Sequence, residues 1–189
     1  MSSRDILIFS SRSPDLPPGQ GCKKSTVMCE RVGRPEAYAR LAAIPGWRQV
    51  LSNFHVCPFT WRGKTYRTIE HAFQATKIGL ENAAAAAQFT VDSGTDLGAS
   101  GDGLAARKQR KMRRLSLAKL AAWNAFSPAM MAMMAEAKYA QCPVARRVLL
   151  ATNDAQLWHT VARSKPVRFV HLERIRSKLR HTDPAAWLG

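Results

Sequence analysis

The sequence predicts an α+β protein, predominantly helical, with one domain over residues 1–189 and a small β-sheet and hairpin. Two observations carry that reading. Short β-prone runs are few, at 6–9, 59–61, 65–66 and 167–170, whereas stretches with helical periodicity or propensity fill most of the chain from residue 69 onward. The 189 residues, 46% of them hydrophobic, suffice to bury a substantial core.

The elements follow in order. Ile6-Leu7-Ile8-Phe9 reads as a buried strand, and Ser10-Ser11-Arg12-Ser13 with Pro14, Pro17, Pro18, Gly19 and Gly21 as the loop after it. Hydroxyls and a guanidinium directly after a strand suit a phosphate, which makes Ser10, Ser11 and Arg12 candidate ligand contacts; ordinary serine-rich turns look the same. Residues 22–34 show no period, and 22–46 reads as an insertion ahead of the main motif. Within it Pro35 opens a short helix to residue 43, which Pro45-Gly46 breaks. Residues 59–61 and 65–66 flank the hairpin turn Arg62-Gly63-Lys64. Thr68 stands where a helix N-cap belongs, with Glu70 in the first turn and Gly79 near the end.

Residues 81–90 are alanine-rich and helical by propensity. Residues 93–103 hold four glycines and read as a mobile loop. A basic cluster follows at Arg107, Lys108, Arg110, Lys111, Arg113, Arg114 and Lys119. Ser127-Pro128 reads as the start of a methionine-rich helix through Tyr139, Pro143 as the start of another, and 172–179 as a last helix before a frayed tail at 182–189.

Composition bounds the partners. The net charge is +16, from 29 Lys and Arg against 13 Asp and Glu, and a polyanion is the usual use of such an imbalance; a solubility surface is the alternative. The four cysteines, Cys22, Cys29, Cys57 and Cys142, form no Cys-x-x-Cys pair, and the five histidines have no metal-site spacing, so neither metal nor cofactor is expected. No run approaches the roughly 18 apolar residues of a membrane span, and the N-terminus has no secretory apolar core. The expectation is a soluble intracellular protein, cytoplasmic or nuclear, with reduced thiols.

The chemistry concentrates between residues 51 and 77. Glu70 and Lys77 are seven residues apart, two helical turns, and share a stripe with Phe73 and Gln74. A carboxyl and an amine on one face serve proton transfer and amine chemistry together. A solvated face with ordinary charges is the competing explanation. Asn53, Phe54, Trp61 and Tyr66 add rings and an amide suited to a planar base and a ribose.

Ser52-Asn53-Phe54, Pro58-Phe59, Gly63-Lys64-Thr65-Tyr66 and Glu70-His71-Ala72-Phe73-Gln74-Ala75-Thr76-Lys77 resemble the signature of the NADAR family, the YbiA-like N-glycosidases. Phe9-Ser10-Ser11, Trp123 fifteen residues before Lys138-Tyr139, and the block 141–152 extend the resemblance over roughly residues 5–180. It implies hydrolysis of a bond between ribose C1 and an exocyclic amine, with Glu70 as catalytic carboxyl and Lys77 as its partner. Family substrates are ADP-ribosylated guanine in nucleic acid and phosphoribosyl-amine intermediates of riboflavin biosynthesis. The basic charge favours the former; a nucleic-acid binder on the same scaffold is a third reading. The chain departs from the family at 157–166, where Trp158 is a candidate stacking surface or a core anchor and Arg163 a candidate phosphate contact.

Overall fold

The computed structural model describes residues 4–21, 28–112, 114–160 and 164–182. Its elements are β1 (Ile6–Phe9), a 3-10 turn (Pro35–Tyr38), α1 (Ala39–Ala42), α2 (Trp47–Val50), β2 (Phe59–Trp61), β3 (Lys64–Tyr66), α3 (Ile69–Gly79) and α4 (Ala83–Ala87). There follow a 3-10 turn (Val91–Ser93), α5 (Asp96–Ala99), α6 (Gly103–Met112), α7 (Leu117–Gln141), α8 (Pro143–Ala151), β4 (Gln156–His159), β5 (Val167–Arg168) and α9 (Val170–Thr182). They group into two compact units, one drawn from Met1–Ser52 and Pro143–Gly189, the other from Asn53–Cys142. Residues 22–27, Arg163 and the tail from 183 lie outside the described residues.

The first unit is built on a three-stranded sheet in the order β1-β4-β5, β1 parallel to β4 and β4 antiparallel to β5. Leu7, Phe9 and Leu157 are completely buried, as are Val148 and Leu149 of α8 and Leu172 of α9. A β-prone run such as Ile-Leu-Ile-Phe is what a strand covered on both faces requires. β4 has no such signal: Gln156-Leu157-Trp158-His159 carries one fully buried aliphatic residue, and its register with β1 (Ile6 opposite Gln156, Phe9 opposite His159) makes it a strand.

The segment ahead of the main motif is organised by one buried ion pair. The Glu30 carboxylate accepts the backbone N–H groups of Ile8 (3.0 Å), Gly19 (2.9 Å) and Gly21 (2.8 Å), and Nε and Nη2 of Arg48 at 3.0 and 2.6 Å. The Arg48 guanidinium in turn donates to the carbonyls of Leu16 and Pro17 and lies over the Trp47 ring, 4.1 Å from its centroid. The loop after β1, which has no periodicity of its own, is thereby tied to α2.

The second unit starts with the β2–β3 hairpin, whose two-residue turn has positive φ at Arg62 (49°) and Gly63 (74°), the conformation that matches strand twist. Four of its helices begin on side-chain caps: Thr68 for α3, Asn82 for α4, Thr95 for α5, and Asp102, which accepts from Leu104 and Ala105, for α6. Two expectations are corrected here. Residues 93–103 hold the last residue of a 3-10 turn, then α5 and the first residue of α6; a Cβ on Gly98 would stand 2.0 Å from the Thr90 carbonyl oxygen, so this glycine serves close approach. Ser127-Pro128 does not open a helix. α7 runs through Pro128, the Asn124 carbonyl forgoing its usual donor, because the buried residues Trp123, Met130, Met134 and Lys138 continue a single helical stripe across it.

Cys57 and Cys142, expected as free thiols, form a disulfide with a Cα–Cα distance of 6.3 Å. It joins the start of the unit to its last residue across 85 positions, a separation that spacing motifs do not reveal. Beside it the Gln141 side chain pairs with the edge of β2 as a strand would, accepting from the Thr60 N–H (2.8 Å) and donating to its carbonyl (2.9 Å). No helix among the described residues is long and apolar enough to cross a membrane.

Removing one partner of a buried ion pair leaves the other uncompensated. Glu30→Ala is expected to destabilise the protein by about 3–5 kcal/mol, read by chemical denaturation.

Candidate active site

Helix α3 forms where the spacing places it. The Thr68 hydroxyl oxygen accepts the His71 backbone N–H (3.2 Å). The His71 ring spans from that hydroxyl (2.8 Å at Nδ1) to the Leu97 carbonyl (3.0 Å at Nε2), so Nε2 carries the proton and Nδ1 accepts from Thr68. Burial lowers the pKa of this ring, consistent with the neutral form these bonds require.

The stripe that bears Glu70 is not a solvated face. Glu70 is 7% exposed and Gln74 4%, on a helix that also buries Ile69, His71, Ala72, Ala75 and Ile78. The Glu70 backbone N–H donates to the Asn53 carbonyl (3.1 Å), and the Gln74 amide nitrogen donates to Glu70 Oε1 (2.8 Å). Burial pushes the Glu70 carboxyl above the ordinary carboxylate range, against the opposing effects of the Gln74 hydrogen bond and the positive charges of Arg107 and Arg110. A carboxyl so placed holds its proton nearer to neutral pH, as a group that both gives and takes protons requires. Lys77 lies two turns further along the stripe, half-buried.

Arg107 and Arg110 come from α6, which packs against α3. Gly103, Ala106, Arg107 and Arg110 form one stripe at helical spacing. Ala106 is completely buried, and a Cβ on Gly103 would stand 2.8 Å from the Phe54 ring and 3.1 Å from its backbone Cα. Two members of the basic cluster thus act on the Glu70 carboxyl, Arg107 half-buried and Arg110 exposed.

The remaining candidates fall into four groups. Asn53 and Phe54 are half-buried beside α3; the Asn53 amide nitrogen lies 3.2 Å from Met131 Sδ on α7. Phe73, Trp123 and Tyr66 pack with other rings: Phe73 meets Trp123 edge-on at 4.7 Å, Trp123 meets Phe126 at 5.4 Å, and Tyr66 lies 6.5 Å from Phe59 across the hairpin. Trp61 is half-buried, with the Arg62 guanidinium 5.3 Å over its ring. Ser10, Ser11, Arg12 and Trp158 lie in the other unit. There Ser10 is buried and bonded to Ser13 Oγ (3.1 Å) and to the Arg12 N–H (3.3 Å), and the Trp158 indole donates to Gln156 (3.1 Å). Ser11 is half-buried and Arg12 exposed.

One basic group was missed as chemistry. Lys138 is completely buried in α7, and burial lowers its pKa to about 7. Its signal was available: Met130, Met134 and Lys138 share an i, i+4, i+8 stripe, so a lysine interrupts an apolar run. Lys138 also helps, after burial, to depress His55 to about 4. The segment 53–57 therefore runs beside α7, from Met131 opposite Asn53 to the disulfide at Cys57, and touches the start of α3 through the Asn53 carbonyl.

No protein-family model matches the sequence, and no curated protein does. Two solved chains match the structure, among them the NMR structure of the E. coli protein YbiA. The TM-score is 0.57 at 21% identity, covering 73% of this chain and 82% of that one. The fold is YbiA-like. At that identity the likeness speaks for the architecture, and the YbiA-like α+β fold is the one expected from the sequence.

A buried base with a lowered pKa binds fewer protons folded than unfolded, so stability rises with pH between its folded value and its ordinary one. For Lys138 that window runs from about 7 to 10.5. Unfolding free energy measured from pH 7 to 9 is expected to climb by up to about 1.4 kcal/mol per pH unit from this group, and Lys138→Met to lack that component.

Proposed function

We propose that the protein is an N-glycosidase hydrolysing the bond between ribose C1 and an exocyclic amine, with ADP-ribosylated guanine in nucleic acid as its substrate. The observation that carries this is the buried Glu70 carboxyl, its proton affinity raised, on one helical stripe with the amine of Lys77 and within electrostatic reach of two arginines. The resemblance to the NADAR signature supplies the reaction class.

In this reading Glu70 delivers its proton to the ribose ring oxygen, and the ring opens to an iminium at C1. The Lys77 amine adds to C1 through its nitrogen lone pair; the base amine leaves with a proton, and the lysine Schiff base that remains is hydrolysed by water, returning the amine and ADP-ribose. Direct attack by water on C1, with Lys77 orienting Glu70, is the simpler route. Borohydride trapping in the presence of substrate separates them: a covalent adduct at Lys77 supports the first, and its absence together with a near-normal rate for Lys77→Ala removes it.

Arg107 and Arg110 favour a diphosphate-bearing substrate, because guanidinium groups bind phosphate oxygens strongly. The net charge of +16 favours a nucleic-acid carrier. Wild-type protein is expected to free ADP-ribose from a guanine-modified oligonucleotide, read by mass spectrometry, and Glu70→Gln to abolish the release. Cleavage of a riboflavin-type phosphoribosyl-amine alone would move the substrate to that class. Salt-sensitive binding without cleavage would make the protein a binder.

Because both arginines lower the Glu70 pKa, their removal raises it. Arg107→Gln and Arg110→Gln are expected to move the Glu70-dependent limb of the pH–rate profile to higher pH, and to raise KM. The pH displacement shrinks as salt is added.

A further inference from the structure

The Gln74 amide is half used. Its nitrogen donates to Glu70 Oε1 at 2.8 Å, while its oxygen is buried and has no hydrogen-bond partner among the described residues. Gln74 as a whole is 4% exposed. A buried acceptor left unpaired is costly, and native proteins keep few of them. An apolar side chain of similar length would fill the same volume without that cost. The oxygen also shares a carbon with the nitrogen that holds Glu70, so any group bonded to it stands beside the carboxyl.

We propose that the Gln74 amide oxygen accepts a hydrogen bond from a donor on the substrate next to the scissile C1–N bond, and that Gln74 is thereby a specificity-determining residue. The proposal rests on the glycosidase reading above and names a contact within it. Two donors of the substrate flank the reacting carbon: the ribose 2-hydroxyl and the remaining N–H of the exocyclic amine. Either, once bound, satisfies the orphaned oxygen. The same side chain then grips the substrate through its oxygen and Glu70 through its nitrogen, so that loss of the donor leaves a buried acceptor unpaired in the complex.

The test compares three substrates, namely ADP-ribosyl-guanine oligonucleotide, its analogue lacking the 2-hydroxyl on the reacting ribose, and its analogue methylated at the exocyclic nitrogen. Wild type is expected to lose about 10- to 100-fold in kcat/KM on one of the two analogues. Gln74→Met is expected to lose a similar factor on the parent and to show little further loss on that analogue. Gln74→Glu, which keeps the volume and an acceptor oxygen, is expected to retain the discrimination and serves if the methionine variant does not fold. Equal wild-type rates on all three substrates, or full discrimination retained by Gln74→Met, overturn the proposal.

Should wild type turn over no N-riboside, the glycosidase reading falls and the contact is read from calorimetric binding of free ADP-ribose. A tenfold weakening in Gln74→Met then supports the contact independently of catalysis. Equal binding by the two proteins, or binding by neither, overturns it.

Discussion

The close approach of α6 to α3 is the constraint on which the candidate site depends. Gly103 leaves room for Phe54, and Ala106 fills the next turn of the contact without a longer side chain. That spacing brings Arg107 and Arg110 into the field of Glu70, so one packing decision sets both the desolvation that raises the carboxyl's proton affinity and the charges that oppose it. With a wider gap between the helices, Glu70 would become an ordinary wet carboxylate. The balance of burial over attraction makes the group useful as an acid and a base.

Elsewhere the protein fixes irregular segments by burying polar groups with their partners. Glu30 gathers three backbone N–H groups and a guanidinium, and so holds a loop with no hydrophobic pattern to place it. Thr68, His71 and the Leu97 carbonyl form a chain of bonds that ties the start of α3 to α5. The Asn53 carbonyl, the Gln141 side chain and the Cys57–Cys142 disulfide do the same for the segment entering the site. In each case the ordering cost of a loop is offset by satisfied hydrogen bonds or a covalent link.

Against this background Gln74 is one of the exceptions. Its unpaired oxygen lies beside the one carboxyl whose chemistry the sequence singles out. Among the other buried orphaned atoms are His55 Nδ1 and Trp61 Nε1, also in this unit.

What the sequence determined by itself is local. The apolar run of β1, the positive-φ turn at Arg62-Gly63, the Thr68 cap and the seven-residue interval from Glu70 to Lys77 follow from periodicity, turn chemistry and capping, which act over a few residues. The α+β class was legible for the same reason. Only the tertiary structure decided that Leu157 lies in a strand, that Pro128 sits inside a continuous helix, that Cys57 meets Cys142, and that Lys138 is buried, which lowers its pKa. It also decided which residues of a basic cluster act on Glu70. These outcomes depend on partners distant in the chain and on desolvation, and neither leaves a mark in a window of neighbouring residues.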